Sequence, residues 1–156
     1  MSQERFMRLA IAKAKEGLAR GQMPFGATIV RGDEVLACEH NVVWATTDIT
    51  AHAEVTAIRK ACVFAKAVDF TGCTIYSTTE PCPMCFSACH WAKFDKIVYG
   101  AAIDDARAVG FSELPISNQE MKRLGGSKIE IVPHFLRDEA AELFRIYASR
   151  PDRRGY

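Results

Sequence analysis

The chain has 156 residues, 49% of them hydrophobic and 25% charged, and a formal net charge of +1. That length suits one domain, residues 1–156, burying roughly 70% of the surface its unfolded chain exposes, and the near-neutral balance gives no bulk electrostatic case for nucleic acid or an acidic membrane surface. No apolar run approaches the ~20 residues that span a bilayer, and the charged, amphipathic N-terminus does not read as a signal peptide, so a cytoplasmic protein with no membrane contact is expected.

In chain order, Phe6, Leu9, Ala10, Lys13, Ala14 and Leu18 follow a helical spacing from Ser2 to about Arg20, with Gly21 as a stop. "GATIV" and "EVLACEH" read as two strands joined by a tight turn at Gly32 and Asp33. A polar loop, "NVVWATTDIT", ends in Thr50, which is expected to cap a helix starting near Ala51. That helix, "AHAEVTAIRKACVFAKA", carries Val55, Ile58, Cys62 and Ala65 as its apolar positions. "GCTIYST" is β-branched and suits a central strand. Glu80-Pro81 ends it, and a helix follows from Cys82 or Pro83, where proline fits a first turn. "DKIVYGA" and "KIEIVP" supply two more strands around an irregular Gly110 region, and "RDEAAELFRIYAS" closes the chain as an amphipathic helix. The pattern predicts an α/β fold, a three-layer α/β/α sandwich around a mixed five-stranded sheet. The charged tail "RPDRRGY" is disordered by default.

Six cysteines in a chain with so large a core and no secretion signal read as reduced thiols or metal ligands. Cys38, Cys62 and Cys73 stand singly in apolar stretches and are expected in the core. The pair Cys82 and Cys85 in "TEPCPMC" allows a redox couple, half of a structural zinc knot, or part of a catalytic metal site. A structural knot needs a second such pair, which the chain lacks. A catalytic zinc needs three protein ligands and an open position. "TAHAEV" offers His52 at the start of its own helix, and Glu54 two residues on. Two helix N-termini facing each other would gather positive potential where thiolates must sit. His52, Cys82 and Cys85 then make a Cys2His set for one Zn2+ per chain, and Glu54 is a carboxylate free to move a proton. H-x-E followed by P-C-x-x-C is the signature of zinc nucleobase deaminases. Cys89 shares a helix face with the pair but lies too far along to join it, and His40, His90 and His134 have no ligand spacing.

With these motifs the sequence resembles the cytidine-deaminase-like superfamily over nearly its whole length, and within it the bacterial guanine deaminase branch, through "PFGATIV", "HAEVTAIRKAC", "EPCPMC", the "GF" at 110–111 and a final aromatic. The resemblance implies His52, Cys82 and Cys85 as zinc ligands and Glu54 as proton shuttle. It implies Asn41 as an amide that binds the base, Phe25 as the ring that stacks on it, and Glu113 as the acid that handles the amino group of guanine. Trp91 and Tyr156 resemble residues that close over the substrate, Tyr156 from a tail, residues ~150–156, that a partner subunit could supply. A homodimer with an exchanged C-terminal segment is implied in the same way. The local text at Glu113 is "GFSE" rather than the commoner "GFDD", and Ile49 stands where many relatives place proline.

The expected reaction is hydrolysis of guanine to xanthine and ammonia. Guanosine, cytosine and tRNA adenosine deamination are alternatives of the same chemistry. The tRNA reading calls for a basic surface, and Arg145, Arg150, Arg153 and Arg154 provide only a short basic tail. A thiol redox or metal-binding protein without catalysis is the alternative of another class.

Overall fold

The computed structural model describes residues 2–156. The first helix, α1 (Gln3–Ala19), starts where Ser2 accepts from the Glu4 backbone N–H, and Gly21, at φ +78°, turns the chain out of it. The hairpin β1 (Gly26–Arg31) and β2 (Glu34–His40) turns at Gly32, whose φ of +58° is the left-handed conformation that a two-residue hairpin loop asks for. A short helix, α2 (Val43–Thr46), follows inside the stretch expected to be loop. Then come α3 (Ala53–Ala65), β3 (Cys73–Thr79), α4 (Pro83–Trp91) and β4 (Lys96–Ala101). The Gly110 region holds two helices, α5 (Ile103–Ala108) and α6 (Asn118–Gly125), on either side of an irregular stretch. The chain ends with β5 (Glu130–Val132), α7 (Arg137–Ala148) and the tail.

The five strands lie in the order β2-β1-β3-β4-β5, with β3 in the centre. β1 runs antiparallel to both β2 and β3, while β3, β4 and β5 run parallel, so the sheet is mixed as expected. Alternation along β3 separates the faces. Tyr76 points to α1, its ring 5.5 Å from Phe6, while Ser77 points to α3, its hydroxyl 2.7 Å from Glu54. α1 and α7 cover the first face, and α3 with α4 beside it covers the second. The three-layer α/β/α sandwich is therefore the architecture.

Three local expectations change. Thr50 does not cap α3: its hydroxyl and its N–H both bond the Asp48 carboxylate, and His52 takes the N-cap position. The buried stripe of α3 is Ala53, Ala57 and Ala61, whereas Val55, Ile58, Cys62 and Ala65 are half-buried. Alanines at four-residue spacing let the helix backbone approach the sheet closely, and the larger side chains then fall at its flanks. Cys73 is buried in the core, but Cys38 and Cys62 are only half-buried. Among the described residues, no helix is long and apolar enough to cross a membrane.

Candidate metal and active site

The site lies at the carboxyl end of β3, where α3 and α4 both begin. His52 is the N-cap of α3 and Cys82 the N-cap of α4, with Pro83 in the first turn. An N-cap side chain ordinarily bonds a free N–H of its own helix. Neither His52 nor Cys82 does so, which leaves both side chains for another partner. They converge with Cys85: His52 Nδ1 stands 3.7 Å from Cys82 Sγ and 3.6 Å from Cys85 Sγ. Zn–S bonds near 2.3 Å and Zn–N bonds near 2.05 Å at a tetrahedral angle require an N···S edge of about 3.6 Å. The three donors therefore fit zinc, with His52 offering Nδ1. Among the described residues this is the one cluster of three or more ligating side chains.

The local electrostatics favour a metal cation. The Cys85 thiol hydrogen bond holds Cys82 down to about 4, helped by His52 and opposed by burial. The same contact, together with burial and the charges of Glu54 and Cys82, pushes the Cys85 thiol well up. Burial works to lower the His52 pKa, but Cys82, Glu54 and Glu113 outweigh it and raise the net value.

Glu54 is 5% exposed, one residue inside the α3 start. Burial and the Cys82 charge raise its pKa, with His52, Ser77 and a backbone contact pulling the other way. Its Oε1 lies 2.7 Å from the Ser77 hydroxyl. Beside the ligand cluster there is thus a buried carboxyl group with raised proton affinity.

A cavity of about 340 Å³ opens over the ligands, lined by His52, Cys82, Phe111, Glu113 and Tyr156 with Ile49, Met84 and Leu114 at its sides. A narrower recess joins Phe25, Glu54, Thr79 and Glu80 to His52, Cys82, Glu113 and Tyr156. Phe25, Glu54, Glu113 and Tyr156 thus come together with the ligands. Phe25 packs edge-on to Phe111 with ring centroids 5.0 Å apart. Glu113 is pushed up to about 7, first by burial and then by the charges of Cys82 and Glu54, with His52 opposing. The tail is folded onto its own chain, with the Tyr156 ring 5.6 Å from His52 and 5.5 Å from Phe111. Its expected disorder is thereby corrected: a charged sequence still docks when its last aromatic finds an apolar wall.

Asn41 is fully buried and does not line the cavity. Its Nδ2 donates to the Tyr156 hydroxyl at 2.6 Å, and its Oδ1 accepts from the Val43 N–H at 3.0 Å. Trp91 is not brought to the cavity either. It sits at the last turn of α4, 81% exposed, against His90. Cys89 is buried in the core beyond Cys85.

Two residues of the site escaped sequence reasoning. Ser77 could have been found from strand parity, as a hydroxyl on the same face as Ile75, two residues from the strand end. Glu80 is 6% exposed, and its two oxygens accept from the N–H groups of Ile103 and Asn118 at 3.1 and 2.9 Å. The Asn118 amide in turn donates to the Pro81 carbonyl at 2.7 Å. Glu80 thus ties the beginnings of α5 and α6, which bracket Phe111 and Glu113, to the loop that carries Cys82. Only the folded chain brings those three segments together.

Known proteins resemble the chain in sequence and fold. The sequence profile of the cytidine and deoxycytidylate deaminase zinc-binding region matches residues 1–101. The chain is 43% identical to the guanine deaminase of Bacillus subtilis over 114 residues, 72% of this chain and 73% of that one. It is 38% identical to the tRNA-specific adenosine deaminase of Aquifex aeolicus over 101 residues, 65% of this chain and 67% of that one. A solved structure of guanine deaminase from Nitrosomonas europaea superposes with a TM-score of 0.88 at 28% identity, covering 96% of this chain and 86% of that one. With the ligand geometry, the buried Glu54 carboxyl beside it and the sheet all in agreement, the chain belongs to the cytidine and deoxycytidylate deaminase family and is a zinc-dependent hydrolytic deaminase.

Proposed function

We propose that the chain deaminates guanine to xanthine and ammonia, with His52, Cys82 and Cys85 as the zinc ligands. Bound zinc supplies an activated water near neutral pH, where free water is a poor nucleophile. Glu54 accepts a proton and delivers it to N3 of the purine, which makes C2 electrophilic. Glu113 protonates the amino group on C2, and ammonia leaves as the C2–N bond breaks. Water provides the oxygen that replaces it, and its second proton restores the Glu113 acid as the C2 carbonyl forms, so guanine and water become xanthine and ammonia. Phe25 stacks on the base, and Tyr156 faces it with its hydroxyl held from behind by the buried Asn41 amide.

The observation that carries guanine is Glu113, which joins Glu54 in the recess beside His52 and Cys82, whereas the third carboxyl there, Glu80, is bonded to backbone N–H groups. The Glu113 pKa of about 7 leaves it able to donate a proton at neutral pH. The cavity, about 340 Å³ and closed on one side by Tyr156, is at the small end of ligand pockets. That size favours a free base over an anticodon loop. Ammonia release from guanine, guanosine, cytosine and a tRNA anticodon stem tests the assignment; release from the tRNA substrate alone would replace it.

A homodimer belongs to the same proposal. Met84 and Trp91, seven residues apart on one face of α4, are exposed apolar side chains. Trp91 would close over a site only across such a contact. Light scattering checks this, and a monomer mass at micromolar concentration would remove both the dimer and that role for Trp91.

A further inference from the structure

The tail that carries Tyr156 is also held by residues that do not line the cavity. The Trp44 indole Nε1–H donates to the Arg154 carbonyl at 3.2 Å, and the Arg154 guanidinium lies over the same indole, 4.3 Å from its centroid. One aromatic side chain therefore grips one tail residue twice, by its edge and by its face. Trp44 stands on α2, which begins two residues after Asn41. A single short segment thus receives the tail at two places: Trp44 takes Arg154, and Asn41 takes the Tyr156 hydroxyl. A third contact, from the Ser112 N–H to the Tyr156 carbonyl at 3.0 Å, fixes the tail against the opposite wall of the cavity. Farther back, Arg150 bonds the Leu18 carbonyl at the end of α1, and the Arg153 guanidinium bonds the Arg150 carbonyl at 2.9 Å.

We infer that Trp44 is a positioning residue for substrate binding: it holds the tail so that Tyr156 forms the wall of the cavity. This rests on the deaminase reading of the site, but the clasp itself is geometry. Arg154 precedes Tyr156 by two residues, with a glycine between them. The Ser112 and Asn41 bonds both hold Tyr156 itself, so the pliable Gly155 still lets the chain before it swing, and the Trp44 clasp on Arg154 pins that side. An indole is suited to the task. Its N–H fixes the carbonyl, and its face accepts the guanidinium without asking either group to leave water completely. Trp44 is not among the residues that line the cavity or the recess. It acts through Tyr156, so its loss should weaken ground-state binding and leave the chemical step nearly intact.

The test uses the full zinc-loaded chain with Trp44→Phe, which keeps a ring but removes the N–H donor, and Trp44→Ala, which removes both contacts. Trypsin cuts after Arg153 and Arg154 only when the tail leaves its seat, and mass spectrometry follows loss of the Tyr156 end. Steady-state kinetics on guanine then separate KM from kcat. Expected are a cleavage rate about three- to tenfold higher and a KM raised by a similar factor, with kcat within about twofold of the parent and Trp44→Ala more affected than Trp44→Phe. Trp44→Phe guards against Trp44→Ala merely failing to fold. An unaltered KM in both variants, whatever the cleavage rate, overturns the positioning role. If guanine proves not to be the substrate, the cleavage comparison still decides: unchanged tail release in both variants overturns the clasp, and accelerated release supports it.

Discussion

The Ser77 hydroxyl stands between two oxygens, 2.7 Å from Glu54 Oε1 and 2.6 Å from the Thr79 carbonyl. It has one proton to give, and a carbonyl can only accept. When Ser77 donates to Thr79, Glu54 must be the donor and is a neutral acid. When Ser77 turns to Glu54, a carboxylate is accommodated. The same hydroxyl can therefore serve both states of a proton shuttle.

Replacing Ser77 by alanine should consequently lower kcat about tenfold and leave zinc content and KM near the parent's, since hydrogen bonds to charged groups contribute roughly 1.5–3 kcal/mol. Metal analysis beside steady-state kinetics checks this. An unchanged kcat would reduce Ser77 to strand packing.

The pH dependence of kcat should report Glu113. Its pKa is raised to about 7, so the group keeps its proton below that pH and loses it above. An acid that must give a proton to the leaving amine is then present on the acid side only, and kcat should fall as pH rises through about 7. Glu113→Gln should have a lower kcat and no such limb. A limb that survives in Glu113→Gln belongs to another group.

Zinc loading should release protons. Cys82 is already held down to about 4, whereas the Cys85 thiol is pushed well up and must lose its proton to become a ligand. Titrating apoprotein with zinc near pH 8, in buffers of different ionisation enthalpy, should show about one proton released. The number should grow as pH falls, because the His52 pKa is raised and the ligand is neutral imidazole. A heat independent of buffer would contradict the ligand set.

Glu80→Gln should destabilise the fold by about 2 kcal/mol, because an amide nitrogen would face one of the two N–H groups that the carboxylate now accepts. Denaturant unfolding of the zinc-loaded protein measures it. Stability equal to the parent's would mean that α5 and α6 are held by other contacts.

Much of this site was legible in the sequence because its donors sit at helix starts, and helix starts are marked by short local words. "HAE" and "PCPMC" placed His52, Glu54, Cys82 and Cys85 before any tertiary structure was known. Thr50 was misleading for the same reason: a good capping residue two positions early competes with His52, and only its bonds to Asp48 decide the matter. The alanine face of α3 was hidden because periodicity weighs large apolar residues, while close helix-sheet approach selects small ones. Asn41, Glu80 and Trp44 depend on partners 115, 38 and 110 residues away, and no local pattern encodes such pairings. The docked tail was foreshadowed only by family resemblance, since its composition alone describes a solvated end.

Ammonia release from guanine by the zinc-loaded chain, with Glu54→Gln beside it, tests the central claim most directly. The account requires xanthine and ammonia in equal amounts from the parent, and a Glu54→Gln variant that keeps its zinc while kcat falls by about 10² or more. Guanine left unchanged by a zinc-loaded parent, or near-normal turnover by Glu54→Gln, would contradict it.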